Sequence, residues 1–315
     1  MEVEKLDIKN KYEEALEAFA EKIKDDSNII AAFAYGSIVS GKLWEKSDID
    51  IWLISKENSK KIYNQYSLIV DDIDFQVELY SRNYFFELVD SPHAQSFFRA
   101  VLLQSKLIYS KDKAIENLFN EKHDLGNRDK EENLLKAAIY GVVCVKKIEK
   151  ILKLSEDTLS AFSVMLRLVK NLANIEVAYN NQYPCREVES QALNLNYDFF
   201  NDIYVDLVNS KVDLLSIESK LSKCKKYLDD KNDLVFEPIV KWLRTEGEVR
   251  GASEINEYIK RKYNISNDGD ELTDVYNWLT EKKILIRTSE SIKLLDKSKV
   301  YFDEAAYSYD FDNNM

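Results

Sequence analysis

The sequence predicts an α+β protein in which a mixed sheet and its covering helices come first and helices dominate the remainder. Short apolar or alternating segments, the pattern of strands, are concentrated in residues 29–80. Longer segments with apolar residues at helical spacing fill residues 129–228. Only seven glycines and three prolines occur in 315 residues, which favours helices over tight turns. We therefore expect a strand-containing domain over 1–120, a helical bundle over 121–232 and a third, smaller domain over 233–315.

The first predicted elements are an amphipathic helix and a buried strand. Apolar residues recur at helical spacing among charged neighbours over residues 4–25. Residues 29–35 form an apolar run long enough for one buried strand. Gly36 ends that run, because glycine adopts backbone angles that other residues resist. The helix is expected to pack against the sheet that this strand joins.

The next strand is predicted to carry two carboxylates on one face. After Ser47, aliphatic residues alternate with Asp48, Asp50 and Trp52. A period of two places both aspartates on one face of a strand and the aliphatic side chains on the other. Both carboxylates can therefore reach one ion.

Further elements complete the first domain. The strongest of them is residues 73–80, where strict alternation puts Asp74, Gln76 and Glu78 on one polar face. In chain order the pattern predicts a helix at 56–66, strands at 67–70 and 73–80, helices at 84–88 and 94–104, and a short strand at 107–109.

Helices dominate the region after a polar, breaker-containing segment at 121–128, which is the predicted linker. Helix-compatible spacing covers residues 129–152, 157–179, 186–193 and 197–228. Three shorter helices follow at 235–244, 252–263 and 271–281, then two short strands at 284–287 and 291–294. Three helices and a small hairpin is the order of a winged helix-turn-helix. The aromatic tail, with Tyr301, Phe302, Tyr307, Tyr309 and Phe311, is expected to pack on this last domain.

Charge and composition narrow the class of partner. A formal net charge of −12 opposes broad binding to nucleic acid, which depends on lysine and arginine neutralising phosphates. Residues 233–315 hold 17 acidic and 12 basic residues, so a protein contact or a substrate lid is favoured there over specific DNA binding. Three widely spaced cysteines without a CxxC pair indicate structural thiols. No apolar run approaches the roughly 20 residues that span a bilayer, and we expect a cytoplasmic protein without a membrane partner.

The polar residues around the second strand suit phosphoryl or nucleotidyl transfer. Such chemistry needs divalent ions, which Asp48, Asp50 and a third carboxylate would hold. Asp74 is the predicted third member, because Glu78 lies about 13 Å further along the same strand. The loop between the first two strands offers phosphate contacts: backbone N–H groups of the Gly36-Ser37 turn, the Ser37 hydroxyl, Lys42 and Ser47.

The combination of these features resembles the DNA polymerase beta type nucleotidyltransferase superfamily. The combination consists of a strand that ends at Gly36-Ser37, the segment Ser47-Asp48-Ile49-Asp50 after nine intervening residues, and a further strand with Asp74. Residues 28 to about 200 are most similar to the kanamycin nucleotidyltransferase kind, in which a mixed sheet precedes a helical domain. The resemblance implies that Gly36 and Ser37 bind the phosphates of ATP or another nucleoside triphosphate, and that Asp48, Asp50 and Asp74 bind Mg²⁺. It also implies transfer of the nucleoside monophosphate to a hydroxyl, with release of pyrophosphate.

Two departures from the family pattern leave open which molecule carries the acceptor hydroxyl. Many relatives carry an arginine shortly after the Gly-Ser pair, where this chain has Ser40 with Lys42 nearby. The aminoglycoside enzymes use a helix glutamate as general base, and residues 140–145 contain none. The acceptor is then a small molecule, a protein side chain or an RNA end. The alternative is a nucleotide-sensing regulatory protein that binds DNA or a protein partner through its winged helix.

Overall fold

The computed structural model describes residues 2–57, 61–90, 95–120, 127–263, 265, 270–295, 297 and 299–311. The chain divides into two compact units, Met1–Asp124 and Leu125–Met315. Most of the predicted linker, residues 121–126, lies outside the described residues. The three-domain division at 120 and 232 stays a prediction.

The predicted α+β class and mixed sheet are confirmed in the N-terminal unit. Its five strands are ordered β3-β4-β2-β1-β5, with β2 parallel to β4 and the other neighbours antiparallel. In chain order the elements are α1 (Glu2–Lys24), β1 (Ile29–Tyr35), α2 (Ser37–Ser40), β2 (Ile49–Ser55), β3 (Tyr63–Val70), β4 (Ile73–Ser81), α3 (Arg82–Asp90), α4 (Gln95–Gln104), β5 (Lys106–Ser110) and α5 (Lys113–Asn120).

Helices cover both faces of this sheet. On one face, α1 packs on the aliphatic side of β2 and on β4, where the rings of Phe19 and Phe75 stack 4.9 Å apart. On the other face, α3 and α4 cover an aromatic cluster in which Trp52 stacks on Phe98 at 4.1 Å. The alternation read in β2 therefore sets the two faces: Ile49, Ile51 and Leu53 lie towards α1, and Trp52 lies on the opposite side.

The helix predicted at 56–66 is wrong for residues 63–66, which belong to β3. This strand pairs with β4 without a break, from Tyr63 opposite Tyr80 to Val70 opposite Ile73. The two strands are joined at Asp71 and Asp72, whose φ angles are 50° and 60°. Asp-rich two-residue turns with positive φ favour tight hairpins. That turn fixes the register, so cross-strand pairing overrides the weak helical preference of the polar residues.

Helices make up most of the second unit, Leu125–Met315. They are α6 (Asn127–Leu154), α7 (Thr158–Tyr179), α8 (Val188–Leu195), α9 (Tyr197–Phe200), a π-helical turn (Asn201–Asp206), α10 (Leu207–Asn209), α11 (Leu214–Asp230), α12 (Asn232–Val235), α13 (Glu237–Glu246), α14 (Ala252–Tyr263) and α15 (Asp270–Glu281). The single helix predicted over 197–228 is wrong, because Ser210 is extended and Asp213 starts a new helix by accepting a hydrogen bond from the Ser216 backbone N–H at 2.8 Å.

The second unit also contains three strands, which are β6 (Arg250–Gly251), β7 (Leu285–Ile292) and β8 (Phe302–Tyr309). They form one sheet of order β6-β8-β7. The predicted hairpin of residues 284–287 and 291–294 is wrong, because both segments fall on or directly beside β7. The partner strand is the aromatic tail, whose Tyr307 is fully buried. Assignment of this region as a winged helix stays a prediction.

Two further sequence expectations concern cysteines and the membrane. The three cysteines are free, and Cys144 and Cys224 are buried, in keeping with structural thiols. None of the helices in the described segments has the length and apolar character needed to cross a bilayer.

An ion pair that joins the starts of α3 and α5 gives a stability prediction. Arg82 Nε lies 2.5 Å from Asp112 Oδ2, and Asp112 Oδ1 accepts from the Ala114 N–H at 2.8 Å. Asp112→Ala should therefore lower the free energy of unfolding by about 1–2 kcal/mol at pH 7, as loss of a helix cap does. The hydrogen bond from Arg82 holds the pKa of Asp112 below its usual range, so this contribution is present at neutral pH and lost as the pH falls below about 4.

Urea unfolding at pH 7 and pH 3 measures this effect. Asp112→Asn is the matched variant, since it keeps the cap acceptor and removes only the charge. An equal loss from Asp112→Ala at both pH values would contradict the ionic part of the explanation.

Candidate functional site

The predicted site residues meet where β1 ends and where β2 and β4 begin. In the parallel pair, Ile49 lies opposite Phe75. Asp48 and Asp74 each precede these residues by one position, so the register brings the two aspartates to the same level of the sheet. Asp50 lies opposite Tyr35, the last residue of β1. One end of the sheet thus carries all three predicted carboxylates.

Tyr12 of α1 provides independent evidence that Asp48 and Asp74 are neighbours. Its hydroxyl donates a hydrogen bond to the Ser47 carbonyl oxygen at 2.6 Å, which fixes the residue just before Asp48. Burial raises the pKa of Tyr12, and the negative charges of Asp48 and Asp74 raise it further. Both carboxylates therefore act on the same phenol.

The Gly36-Ser37 turn packs directly against the aspartates. Gly36 has φ +75°, and a Cβ placed on it would lie 2.4 Å from Asp50 Oδ2. Only glycine allows the backbone to approach the carboxylate this closely and to adopt that angle without strain. The Ser37 hydroxyl donates to the Asp48 carbonyl oxygen at 3.3 Å. The turn and the Asp-Ile-Asp segment therefore form one contact unit, although ten residues separate Ser37 from Asp48 in the chain.

Asp50 is the electrostatically unusual member of the group. Burial raises its pKa to about 6, and the charges of Asp48 and Glu78 contribute to the increase. The ionised form is thus disfavoured by lost solvation first and by like charge second. A cation bound beside Asp50 would oppose both effects, so the site is suited to hold one.

Glu78 is a site residue that the sequence interpretation set aside. Its Oε2 accepts from the Trp52 indole N–H at 2.6 Å and from the Tyr80 hydroxyl at 2.8 Å. Its Oε1 accepts from the Tyr63 hydroxyl and the Gln65 amide, both at 3.1 Å. The four donors come from three strands and hold the carboxylate in place. The alternation of residues 73–80 already placed Glu78 on the same face of its strand as Asp74. Only the parallel register of β2 and β4 shows that this face also carries Asp50.

The connecting loop contains the remaining predicted contacts, Lys42 and Ser47. Ser47 shapes the loop, because its hydroxyl accepts from the Trp44 backbone N–H at 3.1 Å and its N–H donates to the Trp44 carbonyl at 3.0 Å. Lys42 is exposed directly after Gly41. Phosphate binding by these two residues stays a prediction.

The donor atoms fit a hard divalent cation. Asp48 and Asp74 are exposed and Asp50 is half-buried, so the group offers carboxylate oxygens of the kind that Mg²⁺ prefers. Within the part of the chain that the structure describes, no three Asp, Glu, His or Cys side chains already converge into a coordination cage. Holding an ion would therefore require the exposed Asp48 and Asp74 side chains to turn towards Asp50.

Comparison with known proteins concerns the family of the N-terminal unit and the fold of the chain. Residues 17–114 match the family model described as "Polymerase beta, Nucleotidyltransferase". Among solved structures, a nucleotidyltransferase-like protein from Exiguobacterium sibiricum 255-15 superposes with a TM-score of 0.59 and 12% identity, covering 95% of this chain and 99% of the other. That similarity extends the shared fold over both units. The curated proteins include no significant match. The family match supports a polymerase beta type nucleotidyltransferase domain in residues 17–114, with nucleotidyl transfer as its general function.

Proposed function

We propose that the protein is a Mg²⁺-dependent nucleotidyltransferase that moves AMP from ATP to a hydroxyl group and releases pyrophosphate. The observation that carries this proposal is the contact of the Gly36 turn with Asp50, beside Asp48 and at the level of Asp74. It joins a close-approach turn to clustered carboxylates within the segment that matches the family. A turn of this type suits a triphosphate, and the carboxylates suit its metal.

Asp48, Asp50 and Asp74 would hold the cation. When bound, Mg²⁺ neutralises the triphosphate and lowers the pKa of the attacking hydroxyl. The chain supplies position: the absence of a side chain at Gly36 leaves room for the Asp50 carboxylate beside the turn, and Tyr12 fixes the loop before Asp48 through Ser47. Such preorganised placement of charge is a large source of catalytic rate.

The Gly36-Ser37 turn would bind the phosphates through backbone N–H groups and the Ser37 hydroxyl. Lys42 and Ser47 would add contacts from the loop. The proton of the acceptor hydroxyl would pass to Asp74, an exposed member of the carboxylate group. Glu149 is the first glutamate after residues 140–145, which contain no general base. Its carboxylate accepts a hydrogen bond from Lys225 Nζ at 2.5 Å, so it already has a structural partner in the second unit.

We further propose that the second unit follows the kanamycin nucleotidyltransferase arrangement, with an added winged-helix-like module. The sheet is followed by long helices α6 and α7, and α13 to α15 precede the hairpin of β7 and β8. The excess of acidic residues in 233–315 favours a lid or a protein contact for this module over DNA binding.

Incubation with labelled ATP, Mg²⁺ and panels of hydroxyl acceptors tests the proposal through pyrophosphate release. Asp48→Asn and Asp74→Asn should each reduce the rate about 10²–10³-fold, the usual cost of removing a charge-stabilising group. Asp72→Asn, an exposed aspartate in the turn between β3 and β4, is the matched control and should retain the wild-type rate. The absence of both turnover and ATP binding would overturn the proposal, and binding without turnover would favour the nucleotide-sensing alternative.

A further inference from the structure

The outer edge of the N-terminal sheet is a long, exposed and uncharged strand. β3 occupies the edge position, and the first seven of its eight residues are exposed. Apolar and aromatic side chains are prominent among them: Tyr63 is 46% exposed, Tyr66 45%, Leu68 39% and Ile69 73%. The sequence of β3, Tyr-Asn-Gln-Tyr-Ser-Leu-Ile-Val, contains neither a charged residue nor a proline.

Other edge strands in the described segments carry the features that prevent edge-to-edge pairing. Monomeric proteins protect edges with charges, bulges, prolines or short strands. At the opposite edge of the same sheet, β5 has five residues, begins with Lys106 and pairs with β1 through a shifted register. In the second sheet β6 has only two residues, and β7 carries Arg287 and Glu290. β3 has none of these features, since its pairing with β4 is regular along its whole length.

The backbone hydrogen bonds between β3 and β4 show which residues of β3 leave their backbone groups free to pair with a partner at the edge of the sheet. The Ser81 N–H donates to the Ile62 carbonyl oxygen at 3.0 Å, so even-numbered residues direct their backbone groups towards β4. Odd-numbered residues then present theirs outward: Tyr63, Gln65, Ser67 and Ile69. A row of outward N–H and C=O groups is satisfied in full by another strand.

We propose that β3 pairs antiparallel with β3 of a second copy of this chain, about a two-fold axis at Tyr66. Outward-facing residues must lie opposite one another, and the longest such overlap places Tyr63 opposite Ile69, Gln65 opposite Ser67 and Tyr66 opposite itself. Each copy carries a net charge of −12, so like-charge repulsion opposes association through acidic surfaces. β3 is an eight-residue edge where pairing brings no like charges together.

This pairing would place the second copy beside the candidate active site. Ile69 is the register partner of Asp74 on β4, and the pleat puts both on the same face of the sheet. The proposed axis sets Tyr63 of the second copy next to Ile69. At the usual strand spacing, that tyrosine would lie about 10 Å from β4, at the level of Asp74. The second copy would thus form a wall on the open side of the carboxylates.

Sedimentation of the full chain tests the proposal. The wild type should form a dimer of twice 36.8 kDa, and Tyr66→Lys, which puts two ammonium groups at the axis, should be monomeric. Thr288→Lys on the exposed edge strand β7 is the matched control and should remain dimeric. A monomeric wild type, or a dimer that survives Tyr66→Lys, would overturn the proposal.

A second variant tests the register and does not depend on breaking the dimer. Residues opposite one another in a non-hydrogen-bonded antiparallel pair have Cα atoms about 4.5 Å apart, within the range that a disulfide spans. Tyr66→Cys should therefore form a covalent dimer under mild oxidation, whereas Thr288→Cys should not. A Tyr66→Cys chain that stays unlinked while dimeric would contradict the axis at Tyr66.

Discussion

Gly36→Ala is expected to reduce nucleotidyl transfer at least about 10²-fold and to lower the free energy of unfolding by about 2–3 kcal/mol. The new Cβ would lie 2.4 Å from Asp50 Oδ2, so the carboxylate must move. Displacement of a reacting or metal-binding group by about 1 Å can cost 10²-fold in rate. The backbone angles of Gly36, φ 75° and ψ −140°, lie near a region that is essentially limited to glycine, so a residue with a side chain adds strain of about 2–3 kcal/mol.

Gly41→Ala separates these two effects. Gly41 also has a positive φ angle, 73°, but its ψ angle of 10° lies in the left-handed helical region, whereas the ψ angle of Gly36 is −140°. Nothing lies within 4 Å of a Cβ added at Gly41. The control should therefore lose only about 1 kcal/mol of stability in urea, less than Gly36→Ala, while keeping the wild-type rate of pyrophosphate release. Equal rates for the two variants would show that contact with Asp50 does not carry the function of Gly36.

Asp50→Asn should abolish activity and yet stabilise the metal-free protein at pH 7.5 by about 1 kcal/mol. In the folded protein, burial raises the pKa of Asp50 from 3.8 to about 6, and the negative charges of Asp48 and Glu78 add to this increase. A raised carboxyl pKa means that ionisation destabilises the folded state. This loss of stability grows as the pH rises from about 4 to 6 and is fully present above pH 6. The difference between a pKa of 3.8 and one of about 6 corresponds to at most about 3 kcal/mol, which solvent screening of this half-buried group reduces to about 1 kcal/mol.

Unfolding of Asp50→Asn and wild type in chelator, at pH 7.5 and pH 4, measures this gain. The difference should narrow at pH 4, where the wild-type carboxyl is already protonated in the folded state. The exposed Asp72→Asn serves as the control and should leave stability unchanged at both pH values. An Asp50→Asn protein less stable than wild type at pH 7.5 would contradict the electrostatic description of the site.

Local patterns in the sequence were sufficient to predict the strands that carry the aspartates. The apolar run at 29–35 and the alternation after Ser47 are properties of neighbouring residues, and both strands were confirmed. The turn at Gly36 could be predicted for the same reason. What the sequence could not show is why glycine is required there, since Asp50 approaches it only after β1 and β2 have paired.

Elements that depend on distant pairing were the ones missed. Residues 63–66 are polar and form a strand only because β4 offers a regular partner across the Asp71-Asp72 turn. The aromatic tail forms β8 because β7 and β6 flank it on both sides. Glu78 was judged by its distance from Asp74 along one strand, whereas its effect on Asp50 crosses between strands. Register, which a single sequence does not contain, determined all three outcomes.

We propose that the Gly36 turn and the adjacent aspartates form a nucleotide and metal site. A crystal structure of the full chain with a non-hydrolysable ATP analogue and Mg²⁺ tests it most directly. The triphosphate should lie over Gly36-Ser37, and both Asp48 and Asp50 should bind a cation. An analogue bound elsewhere in the chain, or bound at the turn with no cation on Asp48 and Asp50, would contradict it.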